Sequence, residues 1–109
     1  YRQNLDDSGV SMPFANMPAD HVSAYHILPV LLPVGADRKV VIEGMKAKGI
    51  QSSIHYPPFW NFTAYAGQYF PDDTPVAAEI CERELTLPLY ATMTAEEVDL
   101  VTASLLESL

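Results

Sequence analysis

The stretch that most restricts this chain runs from Gly49, a helix-ending glycine, to the pair Pro57-Pro58. Two consecutive prolines lack the N–H groups that a sheet ladder needs, so an extended segment beginning at Ile50 must leave any sheet by Pro57. Side chains alternate along a strand, which puts Ile50, Ser52, Ile54 and Tyr56 on one face and Gln51, Ser53 and His55 on the other. One face packs, and the other is polar and carries an imidazole.

The flanking segments supply what such a strand would pack against. Asp37 reads as the N-cap of a helix over residues 38–48, with Val41 and Met45 on one side, Lys46 and Lys48 in the last turn, and Gly49 as the left-handed residue after it. Residues 21–32 are apolar on both parities, so they read as a strand buried on both faces, with Pro29 marking an edge or bulge. Thr74-Pro75 opens a helix to about residue 84 that carries Val76, Ala77, Ile80 and Cys81 on its inner face. Leu85, Leu87 and Leu89 alternate with Thr86, Pro88 and Tyr90 as a short strand near an edge. Thr94-Ala95-Glu96-Glu97 is a capping box, and Val98, Val101 and Leu105 continue it as an amphipathic helix. Residues 1–5 read as the last turn of a helix, and residues 10–14 as a short extended piece. The order β-β-α-β-loop-α-β-α describes an α+β fold, a small, mostly antiparallel sheet with helices packed on one face.

Composition narrows the partners. At 109 residues, 49% hydrophobic and 18% charged, the chain is one core-forming domain. Its net charge of −8 comes from 14 acids against 6 scattered basic residues, which argues against nucleic acid and anionic membrane as partners. The longest apolar stretch is broken by Pro29 and Pro33, so no membrane span is expected. A lone cysteine, Cys81, allows no internal disulfide framework and fits a reducing compartment, so a cytoplasmic protein is expected. The start at Tyr1, with no basic-then-apolar leader, points to a fragment of a longer polypeptide.

Few residues invite chemistry. His21, His26 and His55 have no short-spaced metal-ligand partner, so no metal site is expected. His21 reads as a solvated residue and His26 as a half-buried, hydrogen-bonded one. His55, beside Ser53 and ahead of a loop dense in aromatics, fits either a pocket wall or a surface position next to a loop that covers the core. The aromatics from Phe59 to Phe70 could stack on a ligand ring, though packing is their commoner fate. Cys81 reads as an inert core residue. Ser52 and Ser53 lack a nucleophile elbow, and the five glycines form no phosphate-cradling loop.

Taken together, Ala24-Tyr25-His26-Ile27-Leu28, Lys46-Ala47-Lys48-Gly49-Ile50, Ser53-Ile54-His55-Tyr56-Pro57, Arg83-Glu84-Leu85-Thr86-Leu87-Pro88-Leu89-Tyr90 and Met93-Thr94-Ala95-Glu96-Glu97-Val98 resemble the C-terminal domain of the DegT/DnrJ/StrS family. These are pyridoxal-phosphate-dependent aminotransferases of nucleotide-activated sugars with the aspartate-aminotransferase fold. The resemblance covers essentially the whole chain, with the motifs in the family's order. It implies that residues 1–109 are a single C-terminal small domain and that a larger cofactor-binding domain lies outside this chain.

Transamination needs a Schiff-base lysine, and Lys39, Lys46 and Lys48 all fall on one solvated helix. The resemblance therefore implies no catalytic and no cofactor-binding residue here: pyridoxal 5′-phosphate belongs to the full-length enzyme, and the isolated fragment is expected to be inactive. It further implies a homodimer, a nucleotide-linked keto-sugar substrate for cell-surface polysaccharide or secondary-metabolite synthesis, and an amino-acid amino donor. The segment matching Ser53–Tyr56 resembles the family stretch that approaches the substrate, which makes His55, Tyr56 and Ser53 the candidate substrate contacts. Where many relatives carry a further histidine, this chain has Trp60-Asn61. The alternatives are a non-catalytic regulatory or ligand-binding module that kept the fold, and a free-standing interaction domain. In a truncated chain, residues 21–32 or the aromatic loop are expected to take part in self-association.

Overall fold

A computed structural model describes all 109 residues. Its elements are α1 (Arg2–Leu5), β1 (Leu28–Leu31), α2 (Arg38–Ala47), α3 (Pro75–Arg83), β2 (Glu84–Leu87) and α4 (Ala95–Leu106), with single 3₁₀ turns at Phe59–Asn61, Thr63–Tyr65 and Pro71–Asp73. The architecture is α+β, as the sequence pattern predicts.

β1 and β2 pair antiparallel, with Leu28 opposite Leu87 and Val30 opposite Leu85. Residues directly opposite share a face, so these four aliphatic side chains form one side of the sheet. That side is sealed by Val41 and Met45 of α2, Val101 and Leu105 of α4, and Leu5 of α1, all buried together with Leu32 and Val10. The opposite side carries Pro29 and Leu31 from β1 against Thr86 and Glu84 from β2. Single antiparallel bridges extend the sheet by one residue at each edge, Ser11 to Leu31 and Ser53 to Thr86.

Local signals set the helix ends. The Asp37 carboxylate accepts the N–H groups of Lys39 and Val40, and Gly49 has φ +80° just past α2. Thr94 and Glu97 exchange the two bonds of a capping box at α4. At the α3–β2 junction, Arg38 donates to the carbonyls of Cys81 and Glu84, while Arg83 donates to the carbonyl of Leu32 at 2.8 Å.

Three expected elements come out differently. Only Leu28–Leu31 of the apolar run is strand, and residues 21–27 are exposed, Val22 at 88% and Tyr25 at 75%. Their backbone has no neighbouring strand in this chain, and apolar parity alone cannot supply a ladder. Residues 50–54 keep the expected alternation but pair only at Ser53, and the alternation fails beyond them: His55 is half-buried, while Tyr56, expected on the packing face, is exposed. α3 starts at Pro75 as expected, yet it buries no side chain, the Thr74 hydroxyl makes no cap, and Cys81 is half-buried instead of a core residue. No helix is long and apolar enough to cross a membrane.

Candidate functional site

The polar side of the sheet gathers the chemistry. β2 reads Glu84-Leu85-Thr86-Leu87, and all four residues are buried. Leucines fill the core side, so Glu84 and Thr86 face away from it and need polar partners. Those partners come from the edge segment. Ser53 exchanges both backbone hydrogen bonds with Thr86, at 3.1 and 2.8 Å, which sets the register. Two residues further on, the N–H of His55 donates to Glu84 Oε2 at 3.0 Å, and His55 Nδ1 lies 2.9 Å from Thr86 Oγ1. The Thr86 hydroxyl donates to Glu84 Oε1. Glu84, Thr86 and His55 thus form one connected network across two chain segments.

The network backs a shallow cleft of about 200 Å³, lined among others by His26, Gln51, Ser53, His55, Thr86 and Pro88. No lysine, arginine or carboxylate lines it. Ser53 and His55 share this cleft. Tyr56 does not: its ring stands edge-on to His55 at 5.0 Å, is 71% exposed, and borders a separate apolar concavity with Phe59, Trp60 and Cys81. His26 is exposed, not half-buried, and brings a second imidazole to the His55 cleft. His21 is exposed beside Asp20.

The aromatic loop packs mainly on itself. Phe59 meets Trp60, Tyr65 and Tyr69 edge-to-face at 5.2 to 5.8 Å. A further apolar concavity of about 690 Å³ lies between residues 12–17 and the exposed segment around Val22 and Tyr25.

Sequence reasoning missed Glu84, assigned to the end of a helix, and Thr86, read as an edge-strand residue. The signal was available in the alternation itself: a polar parity, Glu84 and Thr86, on a strand whose other parity is leucine.

The three lysines do not fit the Schiff-base role. All are exposed, and Lys48 Nζ is held 2.9 Å from Glu107 Oε2. A reactive amine of that kind needs a desolvated setting or a cationic neighbour to lower its pKa. No group of three His, Cys, Asp or Glu side chains comes together to hold a metal.

Comparison with known proteins gives a consistent picture. The DegT/DnrJ/EryC1/StrS aminotransferase family matches residues 1–106. A Methanocaldococcus jannaschii protein, MJ1066, is 34% identical over 107 residues, covering 93% of this chain and 27% of that protein. The UDP-4-amino-4,6-dideoxy-N-acetyl-beta-L-altrosamine transaminase of Helicobacter pylori is 24% identical over 88 residues, covering 79% of this chain and 24% of that one. Among solved structures, the protein Spr1654 of Streptococcus pneumoniae in its PMP-form, assigned as a sugar aminotransferase, superimposes with a TM-score of 0.85 at 26% identity, over 99% of this chain and 28% of its own. This chain therefore spans about a quarter of the length of such relatives.

Proposed function

We propose, from the premise that the chain belongs to the DegT/DnrJ/EryC1/StrS aminotransferase family, that it is the C-terminal small domain of a pyridoxal-phosphate-dependent enzyme that aminates a nucleotide-linked keto-sugar. The large cofactor-binding domain then lies elsewhere in the same polypeptide. The short coverage of the relatives supports that division, and so does the lack of a suitably placed lysine here.

The observation that carries the site reading is His55 held over a cleft by two buried polar side chains. A histidine fixed in this way is suited to orient a ligand. Because no lysine or arginine lines the cleft, His55 and Ser53 meet the hydroxyls of the sugar, and the diphosphate is bound elsewhere. Tyr56, outside that cleft, would meet the substrate from the neighbouring apolar concavity that it borders with Phe59 and Cys81. When bound, pyridoxal phosphate supplies the electron sink for amino transfer, while this domain's residues bind and orient the sugar. The homodimer, the amino-acid donor and a role in polysaccharide or secondary-metabolite sugar synthesis complete the reading.

The test is amino transfer by the full-length protein from an amino acid to nucleotide-linked keto-sugars. Turnover, with His55→Asn raising KM for the sugar about tenfold as for a lost hydrogen bond, is the expected result. A bound sugar nucleotide with no turnover overturns the catalytic reading in favour of a ligand-binding module.

A further inference from the structure

Resting on the reading of His55 as a substrate contact, we infer that Thr86 and Glu84 are positioning residues that keep the imidazole proton of His55 on Nδ1 and so present Nε2 to the sugar. A threonine hydroxyl carries one proton and two lone pairs, and an ionised carboxylate only accepts. The hydroxyl proton therefore goes to Glu84 Oε1, and Thr86 Oγ1 is left to accept from the ring nitrogen 2.9 Å away. That nitrogen must carry the hydrogen. The second carboxylate oxygen accepts the backbone N–H of the same histidine at 3.0 Å, so one buried side chain fixes both the ring and the backbone of His55.

Burial makes the arrangement selective. Glu84 is 4% exposed and Thr86 5%, so water does not readily replace either partner, and the opposite tautomer would set the lone pair of Nδ1 against the lone pairs of Thr86. Glu84 does not line the cleft and acts only through its neighbours. In that tautomer His55 has its free lone pair on Nε2 and accepts a hydrogen bond from a sugar hydroxyl. This is the way an outer carboxylate orients a ligand-binding histidine through its other nitrogen.

The experiment uses the full-length protein with ¹⁵N-labelled histidine, the His55 signals being assigned by their loss in His55→Asn. The expected result is an Nδ1-protonated neutral ring in the parent, loss of that preference in Thr86→Val, and its retention in Thr86→Ser. Thr86→Val should also raise KM for the keto-sugar about tenfold with kcat within about twofold, and Thr86→Ser should restore it. Should Thr86→Val fail to fold, Glu84→Gln keeps the size and turns one acceptor into a donor, and the same loss of preference is expected. A parent ring protonated on Nε2, or a tautomer unmoved in the folded variant, overturns the inference and leaves the substrate-contact reading intact. An unchanged KM in His55→Asn overturns that reading while the tautomer result still stands.

Discussion

The backbone N–H of His55 donates to the carboxylate of Glu84 at 3.0 Å, joining residues 29 positions apart and holding the histidine on the sheet beyond the Ser53–Thr86 bridge. Glu84→Ala removes the acceptor of both that N–H and the Thr86 hydroxyl. The expected cost is about 2 kcal/mol, the range for buried donors left without a partner. Glu96→Ala, on an exposed turn of α4, should stay within about 0.5 kcal/mol. Urea unfolding of the two variants separates these outcomes, and equal losses would remove Glu84 from the structural account.

Signals confined to a few neighbouring residues are legible in the sequence. Asp37, Gly49 and the Thr94–Glu97 capping box each state a backbone requirement that neighbours in sequence satisfy, and each stands where expected. Pairing between segments is not legible in the same way. Residues 21–27 have the composition of a strand but no neighbour to bond with, and the apolar stripe of α3, with Val76 69% exposed, meets no core in this chain. His55 stands out by its local context, and the polar parity of Glu84 and Thr86 is legible in β2, but which segment they serve is set by the Ser53–Thr86 bridge, a contact between segments that the sequence does not announce.

The cap of α4 should make stability fall in acid. The carboxyl of Glu97 is held below its ordinary range, first by the Thr94 N–H it accepts and then by the Tyr90 hydroxyl beside it. A carboxyl lowered in the folded state contributes stability that is present above its unfolded pKa and is lost as pH falls through the folded value. Glu97→Gln should flatten this part of the acid-side slope in thermal melts. Thr94→Ala, which removes the other half of the box, should cost about 1 kcal/mol at neutral pH.

An alkaline limit comes from Tyr1. Its hydroxyl donates to the carbonyl of Pro88 at 2.8 Å, and burial, reinforced by Tyr90, pushes its pKa up to about 12. The folded state therefore holds this proton more tightly than the unfolded chain does. The contribution is fully present below the unfolded value of 10.0 and is lost as pH rises from there through about 12. Tyr1 is only partly buried, so solvent screening keeps the effect well under the roughly 3 kcal/mol that the whole shift would carry. Tyr1→Phe should remove this part of the alkaline drop in chemical unfolding between those pH values, and an unchanged slope would count against the assignment.

Gly44 sits in the middle of α2, where alanine would ordinarily stabilise the helix by about 1 kcal/mol. Here a Cβ would stand 2.6 Å from Ser108 Oγ and 2.9 Å from Ser108 Cβ, just past the end of α4. The hydroxyl could rotate away, but the β-carbon is fixed to the backbone, so the two segments must separate or the helix must shift. α2 contributes Met45 and α4 contributes Leu105 to the same core, both with no exposed surface, which leaves little slack for either movement. Gly44→Ala should therefore destabilise by about 1–3 kcal/mol, in the range for overpacked contacts. Removing the opposing side chain in Gly44→Ala/Ser108→Gly should recover most of that loss and show strong coupling in a double-mutant cycle. Additive effects of the two changes in urea unfolding would mean that the close approach of α2 to the end of α4 does not limit this position.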